Sequence, residues 1–329
     1  MQILVTGAAG YIGSVCTEVL IARGHSVIAL DDLSEGHKEA LHPQARFCQV
    51  NLHDHAELNS VFSATQIDAV MHFAALCLVE QSVREPGTYY RANVAAGINL
   101  LDAMIQHGVK RFIFSSTAAT YGEPKETPIS EDHPTKPINP YGSSKLLFER
   151  ILEEFKESTG LEYVVMRYFN AAGASEERGE DHHPESHILP ILFEVVLGQR
   201  ESFSIYGTDY PTPDGTCIRD YVHVIDIAES HVLALERISG VAGRVFNVGN
   251  SRGFSVREVI GAAEKITGRN IPTRAAPRRA GDPAELVASS SRIRSELGWS
   301  PRFSGLDSII ESAWAWKHRH RSGYSIEKK

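Results

Sequence analysis

The join between residues 6 and 13 constrains this chain more than any other stretch. The apolar run Ile3 to Val5 meets Gly7, Gly10 and Gly13, and an apolar helical pattern over 12–23 follows at once. Glycine lets a chain turn sharply out of a strand and lets backbone approach a phosphate, while a helix start presents unpaired N–H groups and partial positive charge. The trio alone would also suit a bare turn. Its place between strand and helix marks a dinucleotide-binding turn, with G-x-x-G-x-x-G in place of the commoner G-x-G-x-x-G.

The alternation continues. Apolar β-branched runs at 26–30, 46–50, 69–73, 111–115 and 162–167 alternate with helical patterns near 54–63, 87–107 and 143–158. Strands separated by helices imply right-handed βαβ units and a parallel sheet covered on both faces. After Asn170 the character changes: 173–187 and 206–219 are polar and rich in turn residues. Helices near 188–198, 224–238, 255–267 and 306–320 follow, with short strands at 203–206 and 244–248. A dinucleotide-type sheet over residues 1–170 and a smaller part over 171–329 are expected, with a soft boundary and some chain crossing. At 329 residues the chain has the length of about two domains.

Asp31 ends the second strand 18 residues past Gly13, where a carboxylate can accept hydrogen bonds from ribose hydroxyls. Its charge repels a 2′-phosphate, and no Arg occurs between Gly24 and Arg46, so NAD is favoured over NADP. The alternative is that Asp31 and Asp32 only start a turn, the better reading for Asp32. Tyr141 and Lys145 form Y-x-x-x-K on one helix face. A phenol of pKa ~10 needs a neighbouring ammonium and a cationic nicotinamide to act as a base. The pair is common by chance; the preceding strand end, SSTAATYG over 115–122, adds a hydroxyl, Thr117, at the edge where open α/β sheets bind ligands.

The net charge of -8, without a basic stripe, argues against nucleic acid and anionic membrane as partners. The basic run 317–329 reads as a solvated helix end. Cys16, Cys48, Cys77 and Cys217 are scattered, without CxxC spacing, which fits a reduced cytoplasmic compartment. A strand-like run follows Met1 directly, so no leader is expected, and no run reaches the ~20 apolar residues of a membrane span. His182, His183 and His187 lie in a loop read as lacking compelling ligand geometry, and no metal is expected.

The motifs TGAAGYIGS, HFAA, SSTAATYG, YGSSK, RYFNAAGA, DYPTPDGTCIRDYVHV, FNVGN and PRRAGDPAEL together resemble the extended short-chain dehydrogenase/reductase superfamily and, within it, the UDP-glucose (UDP-galactose) 4-epimerases. The likeness runs along nearly the whole chain. It implies an α/β fold: a Rossmann-type doubly wound parallel sheet holding NAD over 1–170, and a smaller α/β substrate domain holding a UDP-sugar over 171–329. Related dehydratases and decarboxylases carry an acidic residue two places after the active-site Thr; this chain has Ala118 and Ala119. Elimination would lack its general acid/base.

The resemblance implies a resident NAD that takes hydride from the sugar C4 and returns it to the opposite face of a 4-keto sugar, with no net redox change. Tyr141, helped by Thr117, would be the base, and Lys145 would hold the nicotinamide ribose and lower the phenol pKa. Gly7, Gly10, Tyr11, Ile12, Gly13, Asp31, Phe73, Ala74, Ala75, Asn93, Ser115 and Tyr168 would line the cofactor. Asn51 and Leu52 would flank its adenine, Asn51 standing where many relatives have Asp. Cys77 replaces a cofactor-contacting Lys of some members. Arg219 and Arg279 would clamp the diphosphate, Tyr206 stack on uracil, Asp282 bind the uridine ribose, and Phe169 and Asn170 adjoin the sugar. His187 stands where some relatives have a substrate-contacting Asn. Leu286 stands where some glucose-restricted relatives have Tyr, which leaves UDP-N-acetylglucosamine or a UDP-pentose open as the substrate. A non-catalytic NAD-sensing regulator and a simple sugar-nucleotide dehydrogenase are the remaining alternatives. Homodimerisation through the helices near 87–107 and 143–158 is also implied.

Overall fold

The computed structural model describes residues 1–279 and 281–324. The end of the basic run, 325–329, lies outside them. The first part contains β1 (Gln2–Thr6), α1 (Tyr11–Ala22), β2 (Ser26–Asp31), β3 (Arg46–Gln49), α2 (His55–Ala64), β4 (Ala69–His72), α3 (Val79–Arg84), α4 (Pro86–Tyr90), α5 (Ala96–Gln106), β5 (Arg111–Thr117), α6 (Pro140–Thr159) and β6 (Glu162–Tyr168). Then come β7 (Asn170–Ala172), α7 (Ile188–Val196), β8 (Phe203–Tyr206), β9 (Ile218–Arg219), β10 (Tyr221–His223), α8 (Val224–Glu236), α9 (Ile238–Val241), β11 (Arg244–Val248), β12 (Phe254–Ser255), α10 (Val256–Thr267), β13 (Thr273–Ala276), β14 (Glu285–Leu286), α11 (Ser291–Leu297) and α12 (Leu306–Arg319).

Seven strands form one parallel sheet in the order β11-β6-β5-β4-β1-β2-β3. The order reverses at β1, which opens a crevice beyond the carboxyl ends of β1 and β4, the position where such sheets bind ligands. One face of the sheet packs on α1, α8 and α11, around Val15, Leu20, Val232, Leu235 and Leu297. The other packs on α2, α5 and α6, around Phe62, Leu100, Met104, Phe148 and Leu152. A third core, in the second part, joins α7, α10 and α12 through Phe193, Val259 and Ile309. The seventh strand comes from this later stretch, since β11 pairs with β6, so the chain crosses back into the first sheet.

The helix anticipated over 87–107 is interrupted. Pro86 starts α4, and a π-helical turn, Arg91–Ala95, separates it from α5. A single inserted residue shifts the helix face without disturbing composition, so apolar periodicity does not reveal it. The turn aims buried Asn93 at the loop after β4, where its amide accepts from the Leu76 N–H at 2.9 Å and donates to the Leu76 carbonyl at 3.0 Å.

Candidate active site

The glycine turn is sterically obligatory. Gly7 has φ +71°, and a Cβ there would lie 2.5 Å from the backbone nitrogen of Ala74. At Gly13 a Cβ would lie 2.1 Å from the Gly7 carbonyl oxygen. Helix α1 starts at Tyr11 with no side-chain cap and no acidic residue in its first turn. Its N–H groups and partial positive charge thus face the crevice with no carboxylate of their own first turn to neutralise them. Asp31, buried at the end of β2, accepts from the Ala9 and Leu33 N–H groups at 2.9 and 2.8 Å, and burial raises its pKa. Asp32 caps its own turn, accepting from the Ser34 N–H and hydroxyl. These features fit a dinucleotide diphosphate and its ribose.

At the switch point, Thr6 and His72 are register partners on β1 and β4, with Thr6 Oγ1 2.7 Å from His72 Nδ1. Burial, with the Lys145 charge nearby, lowers the His72 pKa to about 3 and keeps the imidazole neutral. Ser115 and Tyr168, on adjacent strands β5 and β6, share a hydrogen bond between their hydroxyls.

Helix α6 carries Tyr141 and Lys145. Asn139 caps it by accepting from the Gly142 N–H at 2.8 Å, Pro140 opens it, and Gly160 closes it at φ 73°. Tyr141, Lys145 and Glu149 follow at intervals of four on the inner face. Lys145 donates to the Ser115 carbonyl at 2.9 Å and sits 4.9 Å from the centre of the Phe114 ring. Burial lowers its pKa to about 8, against the pull of Cys77 and Glu149. Burial pushes the Tyr141 phenol up, with Cys77 and Tyr168 adding to it, while a hydrogen bond with the Thr117 side chain opposes the rise. Thr117 is therefore beside Tyr141.

Glu149 was not singled out from the sequence. Its Oε1 accepts from the Ser116 hydroxyl at 2.5 Å and from Arg167 Nε at 3.0 Å, and its Oε2 also pairs with the Arg167 guanidinium. The helix bearing Tyr141 and Lys145 is thus bolted to β5 and β6. The available signal was a carboxylate four residues after Lys145, between the apolar Phe148 and Leu152.

Of the other residues anticipated at the cofactor, Ile12, Phe73, Ala74 and Ala75 are half-buried around the switch point, and Leu52 is buried. Asn51 is exposed; its amide donates to Asp32 at 2.7 Å and its carbonyl accepts from the His53 N–H at 2.8 Å. Asn93 also donates to the Ser144 hydroxyl at 3.1 Å. Cys77 is exposed, and burial of its thiol group's surroundings raises its pKa.

The motifs expected at the substrate lie around β8, β9 and β14. Arg219, buried, pairs with Asp282 and donates to the Pro283 carbonyl at 2.7 Å. Arg279 lies 4.1 Å above the exposed Tyr206 ring. Phe169 is buried beside Ala118 and Tyr121, with Leu286 against the same cluster. Asn170 donates its N–H to the Asp220 carbonyl. Part of D-G-T-x-x-R-D-Y is architectural: Asp220 accepts from the Asn250, Ser251 and Ala288 N–H groups at 2.8, 3.0 and 3.2 Å. His187 stands at the N-terminal boundary of α7, and its Nδ1 is 3.0 Å from Glu180 and 3.1 Å from Glu185. In the loop around it the donor atoms of Glu180, His182, Glu185 and His187 converge to within 4.8 Å of one another, a clustering the sequence spacing alone does not show.

A doubly wound sheet with a tyrosine–lysine helix laid against its fifth strand makes this chain a short-chain dehydrogenase/reductase. It belongs to the NAD dependent epimerase/dehydratase family, whose model matches residues 3–249. It is 49% identical to the UDP-glucose 4-epimerase of Lacticaseibacillus casei over 327 residues, 98% of this chain and 99% of that one. A crystal structure of a UDP-glucose 4-epimerase, 46% identical, superposes with a TM-score of 0.96 over 99% of this chain and 100% of that one. The UDP-glucose 4-epimerase of Bifidobacterium longum, solved with NAD+ and UDP, is 38% identical with a TM-score of 0.94, covering 98% of this chain and 100% of its own.

Proposed function

We propose that the chain interconverts UDP-glucose and UDP-galactose at C4 through a 4-keto sugar, with NAD resident. The observation that carries this is the meeting of Thr117, Tyr141 and Lys145 at the carboxyl end of β5, on a chain whose family is NAD-dependent. Residues 1–170, with β11, hold the dinucleotide, and the remainder of 171–329 holds the UDP-sugar. Gly7, Gly10, Tyr11, Ile12 and Gly13 take the diphosphate, Asp31 the adenosine ribose, Asn51 and Leu52 the adenine. Phe73, Ala74, Ala75, Asn93, Ser115 and Tyr168 line the rest.

NAD supplies a hydride acceptor that is regenerated within each turnover. Tyr141 takes the proton of the sugar 4-hydroxyl, with Thr117 hydrogen-bonded to both, and returns it after the sugar has presented its other face. Lys145, fixed to the Ser115 carbonyl, holds the nicotinamide ribose and keeps positive charge beside the phenol. Arg219 and Arg279 hold the diphosphate, Tyr206 the uracil, Asp282 the uridine ribose, and Phe169, Asn170 and His187 the sugar side. Ala118 and Ala119 provide no acid for elimination, which keeps the 4-keto sugar from losing water.

Purified protein given UDP-galactose without added NAD should form UDP-glucose with no net NADH absorbance; no conversion even with NAD supplied refutes the reading. Tyr141→Phe should fold and bind NAD yet lose most turnover. A second reading, UDP-N-acetylglucosamine or a UDP-pentose as substrate, is favoured by the aliphatic wall that Leu286 presents beside Ala118 and Phe169. A panel of UDP-sugars separates the two by relative kcat/KM.

The working unit is a homodimer. Exposed Val79, Val83, Tyr90 and Leu147 lie on α3, α4 and α6, which pack together, and these are four of the seven large exposed apolar side chains among the described residues. A monomer in sedimentation would refute this. The compartment is the cytoplasm, supported by four free, scattered cysteines. No helix among the described residues is long and apolar enough to cross a membrane.

A further inference from the structure

The loop between β7 and α7 turns two carboxylates and two imidazoles toward one point. The donor atoms of Glu180, His182, Glu185 and His187 all lie within 4.8 Å of one another. His187 Nδ1 is 3.0 Å from Glu180 and 3.1 Å from Glu185; His182 Nδ1 is 3.6 Å from Glu180 and 3.9 Å from Glu185. Zinc with nitrogen and carboxylate ligands at roughly 2.0–2.2 Å in a tetrahedron places its donors roughly 3.3–3.6 Å apart. The observed separations straddle that edge length.

Two further observations point inward. The Glu180 and Glu185 side chains are only 9% and 7% exposed, so two carboxylates are withdrawn from water at one place. Nδ1 of His182 is buried and has no hydrogen-bond partner, although imidazole nitrogens in such positions are normally satisfied. One dication answers both, neutralising the carboxylates and giving the orphaned nitrogen a partner.

We propose that Glu180, His182, Glu185 and His187 bind one zinc ion in a structural site. Four protein donors leave no open position for substrate or water, which distinguishes it from a catalytic zinc. The His182 ring meets Tyr11 edge-on at 6.4 Å, and the Tyr11 hydroxyl donates to the Gly173 carbonyl at 2.6 Å. His187 also stands at the N-terminal boundary of α7. The ion therefore ties the glycine turn of the first part to the first helix of the second. With Nδ1 committed to metal, Nε2 is the one His187 nitrogen left for the sugar side. The neighbouring trio of His37, Asp181 and His183 is a weaker candidate, since it offers three donors and His183 is exposed.

The test uses the full chain, stripped with chelator and dialysed against zinc alone, with metal counted by elemental mass spectrometry. One zinc per chain is expected. His182→Asn and Glu185→Gln should each weaken binding by more than about 10–100-fold, the loss typical of an outer-shell change, whereas His183→Asn should match the parent. No retained zinc, or undiminished zinc in His182→Asn, overturns the proposal. Because a variant can fail to fold, cobalt is also loaded into the unaltered chain. Intense visible bands of a tetrahedral ion, displaced by zinc, support the site, and a weak octahedral spectrum overturns it.

Discussion

Replacing Lys145 by Met should stabilise the nucleotide-free protein while abolishing its turnover. The ammonium is buried under α6, and burial brings its pKa from 10.5 to about 8. At ~1.4 kcal/mol per pH unit, holding this charge costs the folded state about 3 kcal/mol. Methionine has similar length, carries no charge, and gives up the 2.9 Å hydrogen bond to the Ser115 carbonyl, a loss of about 1 kcal/mol. The net expectation at neutral pH is about 2 kcal/mol of added stability. The sign follows from proton counting. Between pH 8 and 10.5 the unfolded chain binds a proton that the folded chain has released, so this group makes stability rise with pH across that window. Below the window its cost is complete, and above it the cost is gone. Urea unfolding of both proteins, freed of nucleotide, gives the difference at each pH. It should favour Lys145→Met at neutral pH and reverse or vanish above about pH 10.5. A variant less stable than its parent at neutral pH, or a difference that stays constant across the window, refutes the reasoning.

Glu149→Gln should cost about 3–5 kcal/mol, because Arg167 is left buried without its counter-charge, whereas Glu149→Gln combined with Arg167→Met should cost less than the single change. Urea unfolding checks the energies; equal destabilisation of both proteins would show that the pair is not coupled, and kcat should fall in the single variant as α6 loses its fastening to β5 and β6. Gly7→Ala forces a side chain into the left-handed region, about 1–2 kcal/mol by itself, and into the Ala74 backbone at 2.5 Å. A lowered Tm together with lost NAD binding is expected, and unchanged NAD affinity would show that the turn does not take the diphosphate.

What could be read from the sequence divides along physical lines. Parallel strands buried on both faces are continuous apolar runs, so the inner strands of the sheet were visible, whereas the helix expected over 143–158 begins three residues earlier, at Pro140, behind an Asn139 cap that apolar periodicity does not register. The Tyr141–Lys145 pair was visible because helical spacing is a sequence property. Three features were not. The π-turn at Arg91–Ala95 changes register by one residue and leaves composition untouched. The Glu149–Arg167 bolt joins residues on a helix and a strand whose facing depends on the docking of α6. The Glu180, His182, Glu185, His187 convergence depends on how an irregular loop doubles back, which no periodicity encodes. Likewise R-D-Y reads as one substrate motif, yet Arg219 faces Asp282 while Asp220 turns to three backbone amides.

The electrostatics of the bare site run opposite to the chemistry assigned to it. Burial raises the Tyr141 phenol and lowers the Lys145 ammonium, the reverse of what a phenolate base beside a fixed cation requires. A protein at net -8 supplies little general positive potential to correct this. The correction must therefore be local, and the features that favour anions or phenolate are few: the uncapped start of α1, the Thr117 hydrogen bond and Lys145 itself. Loading the crevice with a group that carries positive charge next to Tyr141 lowers the phenol toward working pH, but that same charge disfavours protonated Lys145 unless the ribose hydroxyls accept its hydrogen bonds. Base strength at Tyr141 is thus a property of the loaded site and not of the polypeptide. In the proposed mechanism that coupling gives a physical reason for the cofactor to stay bound through turnover: without its charge, burial leaves the Tyr141 phenol protonated.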